Sequence, residues 1–203
     1  NTCFMNSALQ CLSNTFEFTN YFLKNMERDQ INRHNPLGTK GILAANYSEL
    51  MKSMWLGKSQ SISPWEVKKI IGRHAHQFVG YGQQDSQEFL SYILDLLHED
   101  LNLIVSKPYI ESKDYDGKND IRDSDESWNN FLKRNDSVVI SLFYGQYKST
   151  VCCSKCSKVS VTYDPFNVLS IPISHSGSKD IPFTIYVVQE DILAPVKKLI
   201  KNV

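Results

Sequence analysis

The apolar residues change their spacing near Asp136, and this change restricts the fold more than any other feature of the 203-residue chain. Before Asp136, apolar side chains recur at intervals of three and four residues, which is the spacing of amphipathic helices. After Asp136, Val, Ile, Tyr, Phe and Thr concentrate in runs that are typical of strands. Helices followed by strands predict an α+β fold, with a helical lobe over residues 1–136 and the start of a β-lobe over residues 137–203.

One helix of the first lobe has complete start signals in the sequence. Asp85 can cap a helix that runs over Ser86–Leu101, and Glu88 lies three residues later, as a capping box requires. The acidic segment Asp114–Asp125 contains Gly117 and lacks periodicity, so we predict a surface loop there.

Weaker patterns predict the remaining elements. Further helices are expected at residues 4–12, 18–25 and 40–56, from residue 63 onwards, and at residues 127–134. Strands are expected at residues 137–151, 158–173 and 181–189, with a tight turn at residues 153–156 between the first two.

The composition argues against two classes of main partner, although it leaves local basic or acidic patches open. Lys plus Arg and Asp plus Glu both number 22, so the chain has no positive excess and nucleic acid is not expected as its main partner. No apolar run approaches the ~20 residues that span a bilayer, so no membrane association is expected. An odd count of five cysteines, with no charged-then-apolar leader, is typical of a reducing compartment, and we expect a cytoplasmic or nuclear location.

Cys3 lies in the first turn of the first predicted helix. Backbone N–H groups in that turn lack intrahelical partners and the helix dipole is positive there, so the position favours a negatively charged sulfur. Such a cysteine can act as a nucleophile. The alternative is a small buried hydrophobic side chain, which is the commoner role of a cysteine outside disulfides.

Several motifs resemble the ubiquitin-specific proteases, a family of cysteine deubiquitinases. NTCFMNSALQCL at residues 1–12 is similar to the family's cysteine box, and GYGQQDSQEFL at residues 80–90 is similar to its glutamine–aspartate–glutamate box. Four further motifs resemble one subgroup of the family: LKRNDS at 132–137, LFYGQYKST at 142–150, CSKC at 153–156 and DPF at 164–166. In this subgroup the catalytic domain is split by an insert and is often preceded by DUSP and ubiquitin-like domains. The resemblance covers the N-terminal half of the catalytic domain and fades beyond residue 173.

The resemblance implies a fold and an activity. The fold would be papain-like, with a helical thumb followed by antiparallel strands of the fingers and palm. The activity would be thiol-dependent hydrolysis of isopeptide bonds at the C-terminus of ubiquitin, with ubiquitin and ubiquitinated proteins as partners. Cys3 would be the nucleophile, while Cys11 would pack the helix. The family's oxyanion-hole asparagine would precede Asn1, five residues before the nucleophile.

The second motif carries the residues expected to bind substrate. Gln83, Asp85 and Glu88 match the polar positions that line the channel for the extended ubiquitin tail in this family. That tail carries arginines and an extended backbone, which need carboxylates and amides as partners. From the residues alone, Asp85 and Glu88 could instead serve only as a capping box, and the two roles are compatible.

Cys153 and Cys156 have the spacing of half a tetrahedral zinc site. A redox pair is the alternative. The flanking strands favour a zinc ribbon, because a thioredoxin-type motif opens a helix. The resemblance implies a second cysteine pair outside this chain, so structural zinc is possible only with two further ligands. Cys152 is expected to point away from the pair as a structural residue.

A protease of this kind also needs a histidine base and a residue that orients it. No recognisable catalytic motif surrounds the histidines of this chain: His34, His74, His76, His98 and His175. The resemblance implies that both residues lie after Val203. Two other functions therefore stay open, namely a ubiquitin-binding scaffold without catalysis and a zinc-dependent interaction module.

Overall fold

Helices occupy most of the first 143 residues, and two antiparallel hairpins follow. The computed structural model describes residues 2–172, 184–187 and 196–199. The α-helices of these residues are Cys3–Ser13 (α1), Phe16–Leu23 (α2), Ile42–Leu56 (α3), Trp65–His74 (α4), Ser86–Leu101 (α5), Asp120–Leu132 (α6) and Val138–Phe143 (α7). The strands are Gly145–Cys152 (β1), Val159–Phe166 (β2), Thr184–Val187 (β3) and Val196–Leu199 (β4). The predicted α+β class is confirmed.

The chain divides into two units. The first covers Asn1–Val168 and contains all the described helices with the β1–β2 hairpin. The second covers Leu169–Val203, where β3 pairs antiparallel with β4. The strand predicted at residues 181–189 coincides with β3, while its flanking residues and His175 lie outside the described residues. No helix in the described part of the chain combines the length and apolar character that crossing a bilayer requires.

The core of the first unit forms where α1, α2, α3, α4, α5 and α7 pack together. Phe18, Phe22 and Tyr47 are fully buried and contact one another edge-on or tilted, with ring centroids 4.8–5.7 Å apart. Interlocking rings at such distances add to the stabilisation that burial of apolar area provides. The helix predictions were right in type; α2 begins two residues earlier than predicted and α3 two residues later.

A buried polar cluster ties the segment before α3 to the end of α5. The fully buried Asp100 carboxylate accepts hydrogen bonds from Thr39 N at 2.5 Å, Thr39 Oγ1 at 2.6 Å and Ala44 N at 3.2 Å. Asn32 Nδ2 donates to the Asn102 carbonyl at 2.9 Å. A buried carboxylate is tolerated only when its oxygens are satisfied in this way, so the cluster fixes the path of residues 32–44.

The structure confirms α5 with the predicted bounds. Asp85 is its N-cap and accepts from Gln87 N at 2.7 Å and from Glu88 N at 3.2 Å. The reciprocal half of the predicted capping box was wrong. The Glu88 carboxylate accepts instead from Gln77 Nε2 at 2.9 Å, because the short 3₁₀ turn His76–Phe78 brings Gln77 alongside.

The prediction that residues 114–125 form a loop was wrong in its second half, because α6 begins at Asp120. Asn119 caps this helix by accepting from Arg122 N, and Asp120 and Asp123 stand in its first turn, where negative charge is favourable. The helix is therefore longer than the one predicted at residues 127–134.

The first part of the strand predicted at residues 137–151 was also wrong, because Val138–Phe143 is helical. Ser137 caps this helix by accepting from Ile140 N at 3.3 Å. Val139 and Ile140 are buried and α7 packs on α5 and α2. The cap and this packing outweigh the preference of Val and Ile for strands.

The strands β1 and β2 form an antiparallel hairpin in which Gly145 pairs with Phe166 and Cys152 pairs with Val159. One face is covered between its middle and its far end, where Val161 and Tyr163 are buried against Tyr115 and α6. Tyr115 and Val161 exchange two backbone hydrogen bonds of 2.9 and 3.0 Å. Every residue from 151 to 159 is exposed, so the far end of the hairpin stands clear of the unit's core.

Candidate active site

Cys3 is the first residue of α1 and its side chain is exposed. This excludes the alternative of a small buried hydrophobic residue. The Thr2 side chain makes no capping hydrogen bond to the backbone N–H groups of the first turn. A group with negative charge at this helix start therefore has N–H donors and the positive end of the dipole beside it.

Aromatic packing joins the helix that carries Cys3 to the segment that carries the second motif. The ring of Phe4, the next residue, lies 5.9 Å from the ring of Phe78 and 5.5 Å from the ring of Phe89. Phe78 and Phe89 are 5.3 Å apart, and all three rings are at most 4% exposed. This triad of Phe4, Phe78 and Phe89 fixes α1 against the start of α5, so Cys3 and residues 85–88 are held on one body.

The predicted substrate-binding residues lie in and just after an irregular segment. Gln83 is exposed in the segment between the 3₁₀ turn and α5. Asp85 is exposed at the N-cap of α5, and Glu88 is exposed in its first turn. Asp85 uses one carboxylate oxygen, Oδ1, for both capping bonds, which leaves Oδ2 for another donor. The structure thus brings the three residues together at one helix start, and the capping role of Asp85 is compatible with a second role.

The predicted site residues Cys3, Gln83, Asp85 and Glu88 are all exposed at the surface. A cavity of about 580 Å³ lies elsewhere, between α1, α3 and residues 59–64, and Asn6 is its lining residue nearest in sequence to Cys3. Neither Cys3 nor any residue of the second motif lines it. An open surface suits an extended polypeptide segment better than a small ligand, which binds in enclosed pockets.

His98 is engaged within the fold. Its Nδ1 lies 2.8 Å from Ser137 Oγ and its Nε2 lies 3.3 Å from Asn135 Oδ1. Because Asn135 Oδ1 only accepts, Nε2 carries the proton and Nδ1 accepts from the Ser137 hydroxyl. Burial lowers the pKa of His98, opposed by the nearby charge of Glu99 and the bond to Asn135. His98 is therefore a neutral structural histidine that anchors α7.

The exposed histidines of the described residues lie at helix ends or in turns. His74 is the last residue of α4, His76 begins the 3₁₀ turn, and His34 lies in the segment before α3. The prediction that the catalytic base comes from residues after Val203 stays a prediction.

Cys153 and Cys156 lie in the tight turn that was predicted between β1 and β2. Cys153 N donates to Lys158 O and Ser157 N donates to Cys153 O, both at 2.9 Å. Backbone N–H groups of Cys156 and Lys155, together with the Cys156 thiol, hydrogen bond to the Cys153 sulfur and lower its pKa. This is a turn in which a thiolate is favoured, and both thiols are exposed.

The cysteine turn fits half of a zinc site. A tetrahedral zinc site is commonly built from two pairs of ligands, and each pair can be two cysteines separated by two residues. Cys153 and Cys156 have this separation, and the Cys153 sulfur accepts backbone N–H bonds. Within the described residues, no cluster of three or more potential metal ligands occurs. Cys152 is exposed at the end of β1, and Cys11 is exposed on α1 rather than packed as predicted, because Ala8, Leu9 and Leu12 carry the buried face.

Comparison with known proteins assigns the chain to a family. The profile of the ubiquitin carboxyl-terminal hydrolase family matches residues 1–194. The chain belongs to this family. Ubiquitin carboxyl-terminal hydrolase 15 of Xenopus tropicalis is 50% identical over 194 residues, which are 96% of this chain and 20% of that protein. Ubiquitin carboxyl-terminal hydrolase 4 of Pongo abelii is 54% identical over 173 residues, which are 85% of this chain and 18% of that protein.

The chain therefore spans about a fifth of the length of the curated hydrolases it matches. A solved structure of the SAGA DUB module containing Ubp8, described as bound to monoubiquitin, is similar in fold. It superposes with a TM-score of 0.53 over 81% of this chain and 32% of that chain, at 18% sequence identity. This likeness agrees with the α+β fold predicted from the sequence.

The sequence analysis missed two residues that contact the motif at residues 80–90 or the segment just before it. Gln77 binds Glu88, and Lys68, a buried lysine of α4, donates to backbone carbonyls just before the motif. Neither contact joins residues at helix or strand spacing. The only available signal was Lys68 itself, a charged residue between Val67 and Ile71 on the apolar side of α4.

Proposed function

We propose that this chain supplies the nucleophile and the substrate-tail surface of a cysteine-type deubiquitinase, which hydrolyses isopeptide bonds at the C-terminus of ubiquitin. One observation carries the proposal. An exposed cysteine begins α1, and the aromatic triad packs that helix against the helix whose start presents Asp85 and Glu88. Membership of the ubiquitin carboxyl-terminal hydrolase family supports this chemistry.

The reaction follows from a thiolate placed at the start of a helix. The Cys3 sulfur attacks the carbonyl carbon of the last ubiquitin residue, and the carbonyl π bond moves its electrons onto oxygen. Collapse of this intermediate breaks the C–N bond, and the substrate amine leaves with a proton from a histidine outside this chain. Water, deprotonated by the same base, then attacks the thioester, releasing ubiquitin with a free carboxylate and restoring Cys3.

The substrate tail is held by the start of α5. The free oxygen of Asp85 and the Glu88 carboxylate are suited to arginine side chains of the ubiquitin tail, and the Gln83 amide is suited to its extended backbone. Charge-assisted hydrogen bonds of this kind contribute about 1.5–3 kcal/mol each. The partners are accordingly ubiquitin and ubiquitinated proteins, in the cytoplasm or nucleus.

The cysteine turn is proposed as half of a structural zinc ribbon in the fingers of a papain-like catalytic domain. Cys153 and Cys156 would hold the ion with two thiolates from residues outside this chain. Bound zinc would supply folding energy to the exposed end of the hairpin and would take no part in the reaction.

A ubiquitin probe with a C-terminal propargyl group tests the nucleophile, because only a reactive thiol forms a covalent adduct with it. The full-length protein should be labelled once per chain, Cys3→Ser should not be labelled, and Cys11→Ser, which changes another exposed thiol of α1, should be labelled as the parent is. Labelling of Cys3→Ser would remove Cys3 from the mechanism. Ubiquitin binding by an unlabelled parent would favour the scaffold without catalysis.

A further inference from the structure

Lys68 is a buried lysine on the face of α4 that packs into the core. Its side chain is 5% exposed and its neighbours Val67 and Ile71 are at most 2% exposed. An ammonium group in such a place is unfavourable unless strong acceptors surround it. The acceptors of Lys68 therefore indicate what this residue is for.

The Lys68 ammonium is received by three consecutive backbone carbonyls. Nζ lies 2.9 Å from the carbonyl oxygens of Val79 and Gly80, and 3.3 Å from that of Phe78. The rings of Tyr81 and Trp65 flank it, with centroids 4.9 and 5.9 Å from Nζ. No carboxylate of the described residues pairs with it. Its whole hydrogen-bonding capacity is thus directed at one loop.

The same loop is fixed from its other sides. Phe78 N and Val79 N donate to the carbonyls of Ala75 and His76. A side chain on Gly72 of α4 would start only 3.4 Å from Val79, so the loop lies directly against the helix. The N–H groups of Phe78 and Val79 are thus bound inside the turn, and the carbonyls of residues 78–80 are bound by Lys68.

Two anchors therefore lie on either side of Gln83, one of the three exposed residues that we assign to the ubiquitin tail, and Asp85 belongs to the second anchor. The first anchor is Lys68 on the carbonyls of residues 78–80, and the second is the Asp85 cap on α5. Gln83 lies in the short stretch between them. We propose that Lys68 is a positioning residue for the tail-binding segment, holding residues 78–85 in the shape that receives an extended polypeptide.

This inference rests on the proposed function, but it makes a structural prediction that does not need activity. Lys68→Met keeps the apolar stem and removes the ammonium. Lys69→Met is the matched control, because Lys69 is exposed and has only a 3.9 Å ion pair with Glu66. In the full-length protein, amides of residues 79–85 should exchange with solvent about ten times faster in Lys68→Met than in Lys69→Met, while amides at the centre of α5 should not change.

The kinetic counterpart uses ubiquitin with a fluorogenic C-terminal amide. Lys68→Met should raise KM about ten-fold with kcat within about two-fold, since the lost interaction positions the substrate and does not touch the reacting atoms. In Lys68→Met, iodoacetamide should alkylate Cys3 at the same rate as in the parent. Lys68→Arg, which retains a cation with several donors, should restore most of the affinity.

The outcomes separate the two proposals. An inactive parent whose loop nevertheless loosens in Lys68→Met would contradict the proposed function and support the anchor. If the parent is active, and neither the KM nor the amide exchange rates change in Lys68→Met, the positioning role is overturned. It is also overturned if kcat falls equally in Lys68→Met and Lys69→Met while KM stays unchanged in both. If Lys68→Met does not fold, acylation of the parent decides: Lys68 should react at least ten-fold more slowly than Lys69, and equal rates would overturn the anchor.

Discussion

The helical surroundings of Cys3 and the far end of the β1–β2 hairpin are stabilised in different ways. Around Cys3, the rings of Phe4, Phe78 and Phe89 are buried against one another, so the position of Cys3, the proposed nucleophile, follows from the core. At the end of the hairpin, all residues from 151 to 159 are exposed, and the strand ladder, the turn bonds and an exposed ion pair of Lys158 with Asp114 give order. The first region is ordered by buried apolar packing, whereas the second is an exposed turn for which we propose a structural zinc ion.

The largest effect is expected from the core of the first region. Phe89→Ala should lower the free energy of unfolding by about 3–5 kcal/mol, because it removes buried apolar area and leaves a cavity beneath Phe4 and Phe78. Phe16→Ala is the control, since Phe16 is 74% exposed on α2 and should change stability little. Denaturant unfolding of both variants measures the difference, and equal losses would show that the two rings matter alike.

At the hairpin, we expect a substitution of a zinc ligand to change the metal content more than the overall stability. The full-length protein, purified without chelator, should hold about one zinc per chain by elemental analysis. Cys153→Ser should release it and expose the hairpin to proteolysis, while the melting temperature of the helical region should fall less than in Phe89→Ala. Cys152→Ser, which alters the adjacent exposed thiol, should keep the metal. A parent protein without zinc that tolerates Cys153→Ser would contradict the zinc ribbon.

A smaller effect tests whether Asp85 does more than cap α5. Asp85→Ala should cost about 1 kcal/mol of stability through the lost cap, and should also lower kcat/KM for ubiquitin substrates by about 10- to 100-fold through the lost tail contact. Asn119→Ala removes the cap of α6, far from the motif in sequence, and should reduce stability alone. If the two variants have the same kinetics, Asp85 is only a cap.

The smallest effect concerns how the free energy of unfolding depends on pH through His98, which lies between α5 and α7. Burial places the pKa of His98 below its ordinary value of 6.5, so the unfolded chain takes up the proton first as the pH falls. The stability that neutral His98 provides is therefore complete above pH 6.5 and decreases as the pH falls below it. Unfolding measured between pH 7.5 and 5.5 should show a weaker loss in His98→Gln than in the parent.

His74→Gln, which removes an exposed histidine at the end of α4, is the control for that measurement and should keep the pH dependence of the parent. An unchanged slope in His98→Gln would mean that His98 does not titrate in this range.

The sequence was informative where one element contained its own signals. The bounds of α5 were predicted because Asp85 supplies a cap and Phe89, Ile93 and Leu97 repeat at helical spacing. The start of α6 was missed because the helix is mostly polar: Asp123 is its one buried residue and Ile121 is 77% exposed. For α7, Val138 and Val139 favour a strand locally, and packing on α5 decides otherwise.

The candidate site was predictable as a set of residues but not as an arrangement. Cys3, Asp85 and Cys153 were identified from short motifs, whose meaning came from resemblance to a family. The contacts that hold these motifs join residues without regular spacing, such as Phe4 with Phe89, Gln77 with Glu88, and Lys68 with Gly80. A residue pattern carries no sign of such pairs, because they depend on how helices cross in space.

The polar cluster at the end of α5 has a consequence for the order in which the chain is made. Thr39 binds Asp100, 61 residues further along, and Asn32 binds Asn102 across 70 residues. As the protein leaves the ribosome, the segment before α3 therefore waits for the last turn of α5 before its buried polar groups find partners. The first three helices emerge early, but this polar cluster can close only once residue 102 has left the exit tunnel, and the core is complete only after α7 has followed.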